Sequence, residues 1–548
     1  MRMDTNRNLN DVKATTLRAF IDTLNRAVFE RQSGNAQAFT TWLRHATSFY
    51  PIDEASVNTL FDSLLQNAQT DSAVALADVL VRIEHSPTAS FRLGYAFQMA
   101  GQHENAVAAY RLALESDPDL PFLRNNLAMA LRLSAPGGQE ELALLESSAA
   151  RNPHEVEAWI NLALSYRDRA DLKRALGAAA HAVKLAPDSP QALNNQALVL
   201  RAAQRWAEAE QFARAACAAA PASPELRFNL ACLLLLRGNL DAGWPEYEAR
   251  WDGSTELTGQ RPEFPVPRWR GEPLNGKTLL VWGEQGMGDQ LQFCRFIPNL
   301  AAHVNAQGGR ILWNTFPLMG ALLERSLGQH VSQFTSGGSV ESLPPFDYEI
   351  ALNSVPFALG KAIQQLAPDI PYLHADIEKT EFWRARLAKE RRVKVGLVWT
   401  GSAHHQRNPF RSVGLLRYAA ALADVSDVAF YSLQPGASHE VLKASQSGFV
   451  ITDYTDSLEN FDDTAALISA LDLVITVCTS VAHLSGSLHQ RTWVLLDADP
   501  HWCWQTEGTE ASWYPGVRLY RQAAFGDWAP VMQALRRDLA AFASERMR

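Results

Sequence analysis

The stretch LLVWGEQGMGDQLQFCRFIP, residues 279–298, reads as a short apolar strand, a turn with two glycines and then an amphipathic helix. The turn carries two carboxylates, Glu284 and Asp289. Gly286 and Gly288 can adopt backbone conformations that are closed to other residues, so the chain can pass close to a ligand there. The helix that begins near Asp289 offers unpaired N–H groups. The turn is therefore a candidate ligand site.

The residues before the helix, Glu284, Gln285, Gly286 and Gly288, form the predicted cleft loop. Asp289 has a simpler alternative role, because a carboxylate at the start of a helix also caps it and contributes about 1 kcal/mol. The turn is not a Walker P-loop, since no Gly-Lys-Ser/Thr follows it.

Beyond the turn, short β-branched or apolar runs alternate with helical stretches, a pattern that predicts parallel sheets. A polar helix at 375–392 separates the runs into two groups. We therefore predict two Rossmann-like halves, 278–374 and 375–548, with a ligand cleft at the carboxyl ends of their strands and a last helix that can cross back. The predicted strands are 278–282, 310–314, 347–352, 393–400, 428–433, 448–451, 472–477 and 492–496.

The first half of the chain is repetitive. Prolines close successive units at spacings of 35, 34 and 34 residues; they are Pro118, Pro153, Pro187 and Pro221. This spacing resembles the tetratricopeptide repeat family, which implies an α-helical solenoid of about five units over 88–251. Residues 1–87 are predicted to form further helices, including a degenerate repeat, and the proline-rich stretch 252–277 is the predicted linker. Such a solenoid binds a peptide or protein on its concave face, although support or dimerisation of the second half stays an alternative.

A second turn in the α/β region follows a buried strand that ends at Val477. The residues Cys-Thr-Ser open a helix, and His483 lies one turn into it. The N–H groups and hydroxyls of Thr479 and Ser480, together with the imidazole, can all donate hydrogen bonds. This combination is suited to a diphosphate, whereas a structural role for His483 alone stays open.

The segments GMGDQLQFCRFIP and VCTSVAHLSGSL together resemble the paired motifs of the bacterial heptosyltransferases and of their relatives fused to tetratricopeptide repeats. The resemblance covers most of 272–540, including LVWTGSAHHQRNPFRSV and the closing WYPGVRLYRQAAFGDWAPVM. It implies a glycosyltransferase of the two-Rossmann B-type fold that inverts the anomeric centre without a metal or cofactor.

The resemblance also implies roles for individual residues. Asp289 would be the general base for the acceptor hydroxyl, and the donor diphosphate would be held by residues of the second half. Those donor-side residues are Arg411, Ser412, Gln434, Thr479, Ser480 and His483.

Three departures from the family pattern fall on the donor side. Cys478 stands where aspartate is common, Pro435 stands in place of a lysine, and PHWCW, with His501 and Cys503, replaces PDWRW. These changes remove charges that would face the donor. They are compatible with a smaller or differently charged donor, or with a binding platform that has lost catalysis.

Two further groups of residues are weighed as ligands. His404 and His405 are adjacent in a loop, which is not the i, i+4 spacing of a helical metal pair, so no metal site is predicted. Trp502 and Trp504, with the nearby Trp513, lie in an irregular region where an aromatic face could stack on a sugar.

Composition limits the classes of partner. The chain is 47% hydrophobic with a net charge of -9, which provides no basic field for nucleic acid. The longest aliphatic run, LACLLLL at 230–236, falls far short of the roughly 20 residues of a membrane span, and no signal peptide is evident. Five cysteines without a CxxC pair are typical of a reducing compartment, so a cytoplasmic protein is expected. The resemblance to the bacterial heptosyltransferases implies a bacterial protein.

The sequence thus predicts a cytoplasmic glycosyltransferase that moves a sugar from a nucleotide-diphosphate donor to an acceptor, which we expect to be a protein recruited by the repeats. The alternative is a non-catalytic adaptor in which the repeats bind a protein partner and the transferase-like half is degenerate. A third possibility keeps catalysis with a glycan or lipid-linked acceptor and leaves the repeats for homo-oligomer formation.

Overall fold

The computed structural model describes residues 3–49, 54–284, 286–360, 370–403, 405 and 407–546 of the 548-residue chain. The chain divides into two compact units, Met1–Pro187 and Asp188–Arg548. The division lies inside the repeat region. The last repeats therefore belong to the same unit as the α/β region.

The described part of the first unit is helical. Its helices are α1 (Met3–Gln32), α2 (Ala36–Ala46), α3 (Glu54–Gln66), α4 (Thr70–Glu84), α5 (Pro87–Met99), α6 (His103–Ser116), α7 (Leu123–Ser134), α8 (Gln139–Arg151), α9 (Val156–Asp168) and α10 (Leu172–Leu185). From α5 onward they form pairs joined by short turns. A Cβ atom on Gly94 of α5 would lie 2.5 Å from the ring of Tyr110 in α6, so the small residue permits the close approach of the paired helices.

The second unit begins with two more helix pairs, and they repeat at 34 residues, from Pro190 to Pro224. The hydroxyls of Ser189 and Ser223 each cap a helix, and a proline occupies the first helical position in both cases. The helices of this segment are α11 (Pro190–Ala202), α12 (Trp206–Ala219), α13 (Pro224–Leu236), α14 (Leu240–Tyr247) and α15 (Arg250–Gly253).

The first of two sheets follows. Its strands are β1 (Thr278–Trp282), β2 (Arg310–Thr315), β3 (Gln333–Ser336) and β4 (Tyr348–Ala351), and they are parallel in the order β3-β2-β1-β4. The helices that connect or follow them are α16 (Met287–Phe293), α17 (Ile297–Ala306), α18 (Gly320–Leu327) and α19 (Val355–Leu359).

The second sheet has the order β10-β11-β9-β8-β5-β6-β7, and all its neighbours are parallel except β10 and β11. Its strands are β5 (Val393–Val398), β6 (Val428–Ser432), β7 (Ile451–Asp453), β8 (Leu473–Val477), β9 (Thr492–Leu496), β10 (Glu510–Ala511) and β11 (Tyr514–Arg521). Its helices are α20 (Ile377–Leu387), α21 (Asn408–Arg411), α22 (Leu415–Leu422), α23 (Ser438–Gln446), α24 (Phe461–Ile468), α25 (Ser480–Ser487) and α26 (Ala529–Arg546). The last helix, α26, packs on this sheet through Leu535, Leu539 and Phe542.

The strand orders place the turn after β1 and the turn after β8 close to points where the winding of each sheet reverses. In the first sheet β1 lies between β2 and β4, and in the second sheet β5 lies between β6 and β8, so the direction of winding reverses beside β1 and beside β5. Loops at such reversals leave a crevice at the carboxyl ends of the strands. The turn after β1 borders the crevice of the first sheet, and the turn after β8 borders the crevice of the second sheet.

The expected α/β region with parallel sheets is confirmed, and all eight predicted strands are present. The strand predicted at 448–451 lies instead at Ile451–Asp453. Three further strands, β3, β10 and β11, were not predicted. The edge strand β3 is short and polar, and β11 contains Pro515 and Gly516, which are typical of turns rather than strands.

A buried ion pair attaches the last repeat to the first sheet. The guanidinium of Arg250, at the start of α15, donates two hydrogen bonds to the carboxylate of Glu284, of 2.8 and 2.7 Å. It also donates to Glu248 at 2.9 Å and to the hydroxyl of Ser354 at 2.7 Å. Arg250 is fully buried and Glu284 is 2% exposed. Removing either side chain alone would leave the other charge buried and unpaired, which strongly destabilises a protein.

We expect Arg250→Met to lower the free energy of unfolding of the second unit by about 3–5 kcal/mol, because Glu284 would remain buried and unpaired. The double variant Arg250→Met, Glu284→Leu should recover most of this loss. Urea unfolding followed by tryptophan fluorescence measures the change. Arg214→Met is the control, since Arg214 is half exposed in its pair with Glu210 and should change stability by less than about 1 kcal/mol.

Candidate functional site

The turn after β1 is shaped around the side chain of Asp289. Gly286 has a φ of 99°, and a Cβ atom on it would overlap Oδ2 of Asp289. The N–H of Asp289 donates to the carbonyl of Gly286 at 3.1 Å. Glycine at 286 is therefore required both by its backbone conformation and by the carboxylate that lies beside it. Gln285, also predicted to belong to this loop, lies outside the described residues.

The carboxyl of Asp289 is partly exposed, but protein surrounds most of it. Burial is the largest influence and raises its pKa to about 7, and the negative charge of Glu284 acts in the same direction. The positive charge of Arg250 opposes the shift. A carboxyl that titrates near neutral pH can accept a proton from a substrate hydroxyl more readily than an ordinary aspartate can.

Glu284 and Asp289, close in sequence, lie in different environments. Both carboxylate oxygens of Glu284 accept hydrogen bonds from Arg250, and Oε1 also accepts from the N–H of Asn353 at 3.2 Å. The structure thus places Glu284 in an internal ion pair, whereas Asp289 keeps an accessible surface. One carboxylate of the turn connects it to the repeats, and the other is available for chemistry.

The turn after β8 leads into α25. The hydroxyl of Thr479 lies 3.1 Å from that of Thr476, and Ser480 is the first residue of the helix. His483 is buried, its Nδ1 lies 2.8 Å from the hydroxyl of Tyr514, and its ring stacks on Trp504 at 5.3 Å. Burial holds the pKa of His483 well below its usual value, so the imidazole is neutral at pH 7.

The two turns contact each other directly. A Cβ atom on Gly288 would lie 3.1 Å from Cδ2 of His483 and 3.5 Å from Cα of Ser480. Glycine at 288 therefore allows the start of α16 to approach the start of α25 closely. The structure brings the residue next to Asp289 against two of the residues predicted to bind a donor.

The other predicted donor-side residues connect the ends of strands β5, β6 and β8. The side chain of Arg411 donates to the carbonyl of Cys478 at 3.0 Å. The hydroxyls of Ser412 and Thr400 are 2.7 Å apart, and the N–H of Thr400 donates to the amide oxygen of Gln434 at 3.2 Å. Arg411, Ser412 and Gln434 thus lie together beside the reversal of the second sheet.

Cys478, His501 and Cys503 make neutral contacts. The sulfur of Cys478 accepts a hydrogen bond from the indole of Trp504 at 3.1 Å, and Nδ1 of His501 lies 3.2 Å from the sulfur of Cys503. Burial is the main cause that lowers the pKa of His501 to about 3, so this histidine is uncharged at neutral pH. Within the described part of the chain, these contacts involve no ion pair.

A nearby arginine is also neutralised. Arg407 pairs with Asp497 at 2.6 Å and with Asp499 at 3.2 Å. Asp499 accepts a further hydrogen bond from Arg201 of α11 at 3.0 Å, and Gln204 donates to the carbonyl of Ala498 at 3.2 Å. The last repeats therefore hold the loop after β9, a contact between residues far apart in the chain that sequence reasoning did not find.

The tryptophans considered as sugar contacts lie inside the protein. Trp502 is 4% exposed and packs edge-on against Trp244 at 5.4 Å, and Trp504 is 1% exposed beneath His483. Neither indole presents a free face to a sugar in this structure, because both side chains are buried among other aromatic rings. Trp513 is half-buried and lies against the guanidinium of Arg295 at 4.9 Å.

Two residues next to the site were missed by the sequence analysis, Arg295 and Tyr514. Arg295 is buried within the apolar segment FCRFIP, and a charged residue inside such a segment was the available signal. No local signal marked Tyr514, since its contact with His483 depends on the position of β11.

Among the described residues, no three His, Cys, Asp or Glu side chains are grouped as metal ligands. His404, half of the histidine pair considered above, lies outside that part of the chain. No helix in the described ranges is both long enough and apolar enough to cross a membrane.

Comparison with known proteins identifies the class of the helical region. The tetratricopeptide repeat family matches residues 58–121 and 160–224. The chain thus contains tetratricopeptide repeats, as the proline spacing predicts, and the match extends into the degenerate repeat before residue 88. Protein FlbA of Caulobacter vibrioides is 28% identical to this chain over 488 residues, which are 84% of this chain and 79% of FlbA.

Solved structures resemble the helical region as well. A thermophilic tetratricopeptide repeat protein of Thermus thermophilus is 23% identical, with a TM-score of 0.29, and the match covers 31% of this chain and 92% of that one. PilW, a type IV pilus biogenesis factor, is 18% identical with a TM-score of 0.32, and the match covers 38% of this chain and 96% of PilW.

We expect Gly286→Ala to displace the carboxylate of Asp289, because the new methyl group would occupy its position. The variant should lose about 1–2 kcal/mol of stability from its backbone conformation alone, with a further loss from the displaced side chain. Gly436→Ala is the matched control, since Gly436 has a φ of 71° and a methyl group added there would meet no atom within 4 Å. Equal losses in chemical denaturation of the two variants would contradict the shaping role of Gly286.

Proposed function

We propose that this protein is a cytoplasmic glycosyltransferase that transfers a sugar from a nucleotide-diphosphate donor to a protein recruited by its repeats, with inversion and without a metal. The observation that carries the proposal is the contact between the two turns. Asp289, a carboxyl that titrates near pH 7, follows Gly288, and Gly288 packs directly on Ser480 and His483. A base and an anion-binding helix start then border the same crevice.

The chemistry divides between the two sheets in the two-Rossmann B-type arrangement that the resemblance implies. Asp289, in the first, would accept the proton of the acceptor hydroxyl as its oxygen attacks the anomeric carbon. On the opposite side of the sugar, the bond to the diphosphate oxygen breaks and negative charge develops on that oxygen. The N–H groups at the start of α25, the imidazole of His483 and the guanidinium of Arg411 are the groups that would stabilise it.

The choice of a protein acceptor rests on the repeats. Stacked tetratricopeptide repeats form an extended surface that binds peptides or proteins. The last of them are attached to the α/β region by the Arg250–Glu284 pair and by the contact of Arg201 with Asp499. A protein held by the repeats would be kept at a high effective concentration near the crevice.

A thermal-shift screen against ADP-, GDP-, UDP-, CMP- and dTDP-sugars tests the donor site. A ligand at 100 times its dissociation constant should stabilise the protein by about 2.7 kcal/mol. We expect one nucleotide class to raise the melting temperature, and Thr479→Val with His483→Asn should abolish the shift. Thr452→Val, on the edge strand β7, serves as the control. The absence of any shift at millimolar concentration would contradict the donor site.

Asp289→Asn tests the base, with two expected results. Turnover should fall by about 10²- to 10⁴-fold while donor affinity is kept, because a general base contributes about that much. The free energy of unfolding, in contrast, should be higher in the variant than in the wild type. Folding raises the pKa of this carboxyl from 3.8 to about 7, so ionisation opposes folding increasingly as the pH rises from about 4 to 7.

The neutral asparagine escapes this penalty, which is at most about 4 kcal/mol. The melting temperature of Asp289→Asn should therefore exceed that of the wild type at pH 8, with a difference that shrinks toward pH 5. Asp527→Asn, a change at a helix start away from the crevice, should show no such pH dependence. Unchanged turnover in Asp289→Asn would contradict the catalytic role.

A second candidate function is favoured by one observation, the loss of positive charge on the donor side. Pro435 and Cys503 stand where the family pattern has cations, and Arg407 is neutralised by Asp497 and Asp499. An adaptor whose repeats bind a protein partner would not need those charges. In that case no nucleotide sugar would shift the melting temperature, and Asp289→Asn would leave partner binding unchanged.

A further inference from the structure

The imidazole of His483 is held on three sides. Its Nδ1 lies 2.8 Å from the hydroxyl of Tyr514, its face stacks on Trp504, and its Cδ2 edge packs against Gly288 of the first turn. In the imidazole ring Cδ2 is bonded to Nε2. The nitrogen that Tyr514 does not engage is therefore on the side of the ring that faces the first sheet.

Tyr514 is itself fixed from both sheets. A Cβ atom on Gly486 would lie 2.6 Å from the ring of Tyr514, so the phenol packs directly on the backbone of α25. On its other side the guanidinium of Arg295 lies 4.7 Å from the centre of the ring. Arg295 follows α16, the helix that carries Asp289. One phenol thus connects His483 with the segment that positions the base.

The hydrogen bonds around Arg295 limit where each proton can lie. Arg295 donates to the carbonyl of Trp513 at 2.9 Å and to the hydroxyl oxygen of Tyr372 at 3.2 Å. Tyr372 in turn donates its own proton to the carbonyl of Leu291 at 2.7 Å. Burial raises the pKa of Tyr514 well above its usual value, with the positive charge of Arg295 acting in the opposite direction, so the phenol keeps its proton and can donate it in a hydrogen bond.

We propose that Tyr514 is a positioning residue that donates its hydroxyl proton to Nδ1 of His483 and thereby fixes the proton of the neutral imidazole on Nε2, facing the crevice. This inference rests on the proposed function, in which the Nε2–H would donate to an oxygen of the departing phosphate. Such a donor binds an oxyanion through an oriented hydrogen bond rather than through a full positive charge. The proton stays on Nε2 throughout, and Tyr514 does not touch the substrate.

The tautomer can be measured on the intact protein without any substrate. In two-bond proton–nitrogen spectra of ¹⁵N-histidine-labelled protein at pH 7, the two ring nitrogens of each neutral tautomer have distinct shifts. The chain has 14 histidines, and the His483→Asn variant identifies the signals of His483 by their loss. We expect wild-type His483 to show the pattern of protonated Nε2 and unprotonated Nδ1.

Tyr514→Phe removes the hydroxyl and keeps the ring between Gly486 and Arg295. In this variant we expect His483 to lose its single tautomer and to show a mixture or protonated Nδ1. With a donor found in the thermal-shift screen, kcat should fall about 5- to 10-fold, as expected for one hydrogen bond. Tyr520→Phe is the matched control. It lies on the same strand and loses one hydrogen bond to Asp538, of 3.1 Å, and should leave the His483 signals and kcat unchanged.

Any one of three results would overturn the inference. They are protonated Nδ1 in the wild type, an imidazolium at pH 7, and His483 signals that Tyr514→Phe leaves unchanged. The wild-type spectrum decides the tautomer even if the variant fails to fold. Failure of the proposed function would be distinguishable, because the absence of any nucleotide-sugar binding leaves the tautomer measurement intact. Conversely, a protein that transfers sugar with protonated Nδ1 would keep the function and refute the role of Tyr514.

Discussion

The buried ion pair between Arg250 and Glu284 is the constraint on which the rest of the second unit depends. It joins the last repeat to the residue just before the Gly286 turn, and both charges are almost fully removed from water. Two charges in such an environment are tolerated only as a well-bonded pair. The last repeat and the first sheet are therefore held together at the point where the candidate site begins, and neither can move from the other without exposing a charge.

The same pair determines the electrostatics of Asp289. Arg250 favours the ionised form of that carboxyl, while Glu284 and burial disfavour it, and the balance leaves its pKa near neutral. Burial is the largest of these influences, and the structural carboxylate Glu284 adds to it by offsetting the nearby positive charge of Arg250.

The second sheet supplies neutral donors more than cations. His483 is neutral, His501 has a pKa of about 3, and Arg407 is engaged by two aspartates, which leaves backbone N–H groups, hydroxyls and Arg411 as the groups beside the turn. Under the proposed function, an anion bound there would be recognised by oriented dipoles.

The sequence by itself determined the repeats, the eight predicted strands and the two turns that follow β1 and β8, because hydrophobic periodicity, proline spacing and turn chemistry are local signals. Tertiary structure alone decided that Glu284 pairs with Arg250, that Trp502 and Trp504 are buried rather than open to a sugar, and that Tyr514 contacts His483. Each of these depends on how distant elements pack. A carboxylate can belong to an ion pair or to a functional site, and an indole or a phenol can belong to the core or to a functional site. Only the neighbours in space distinguish these roles.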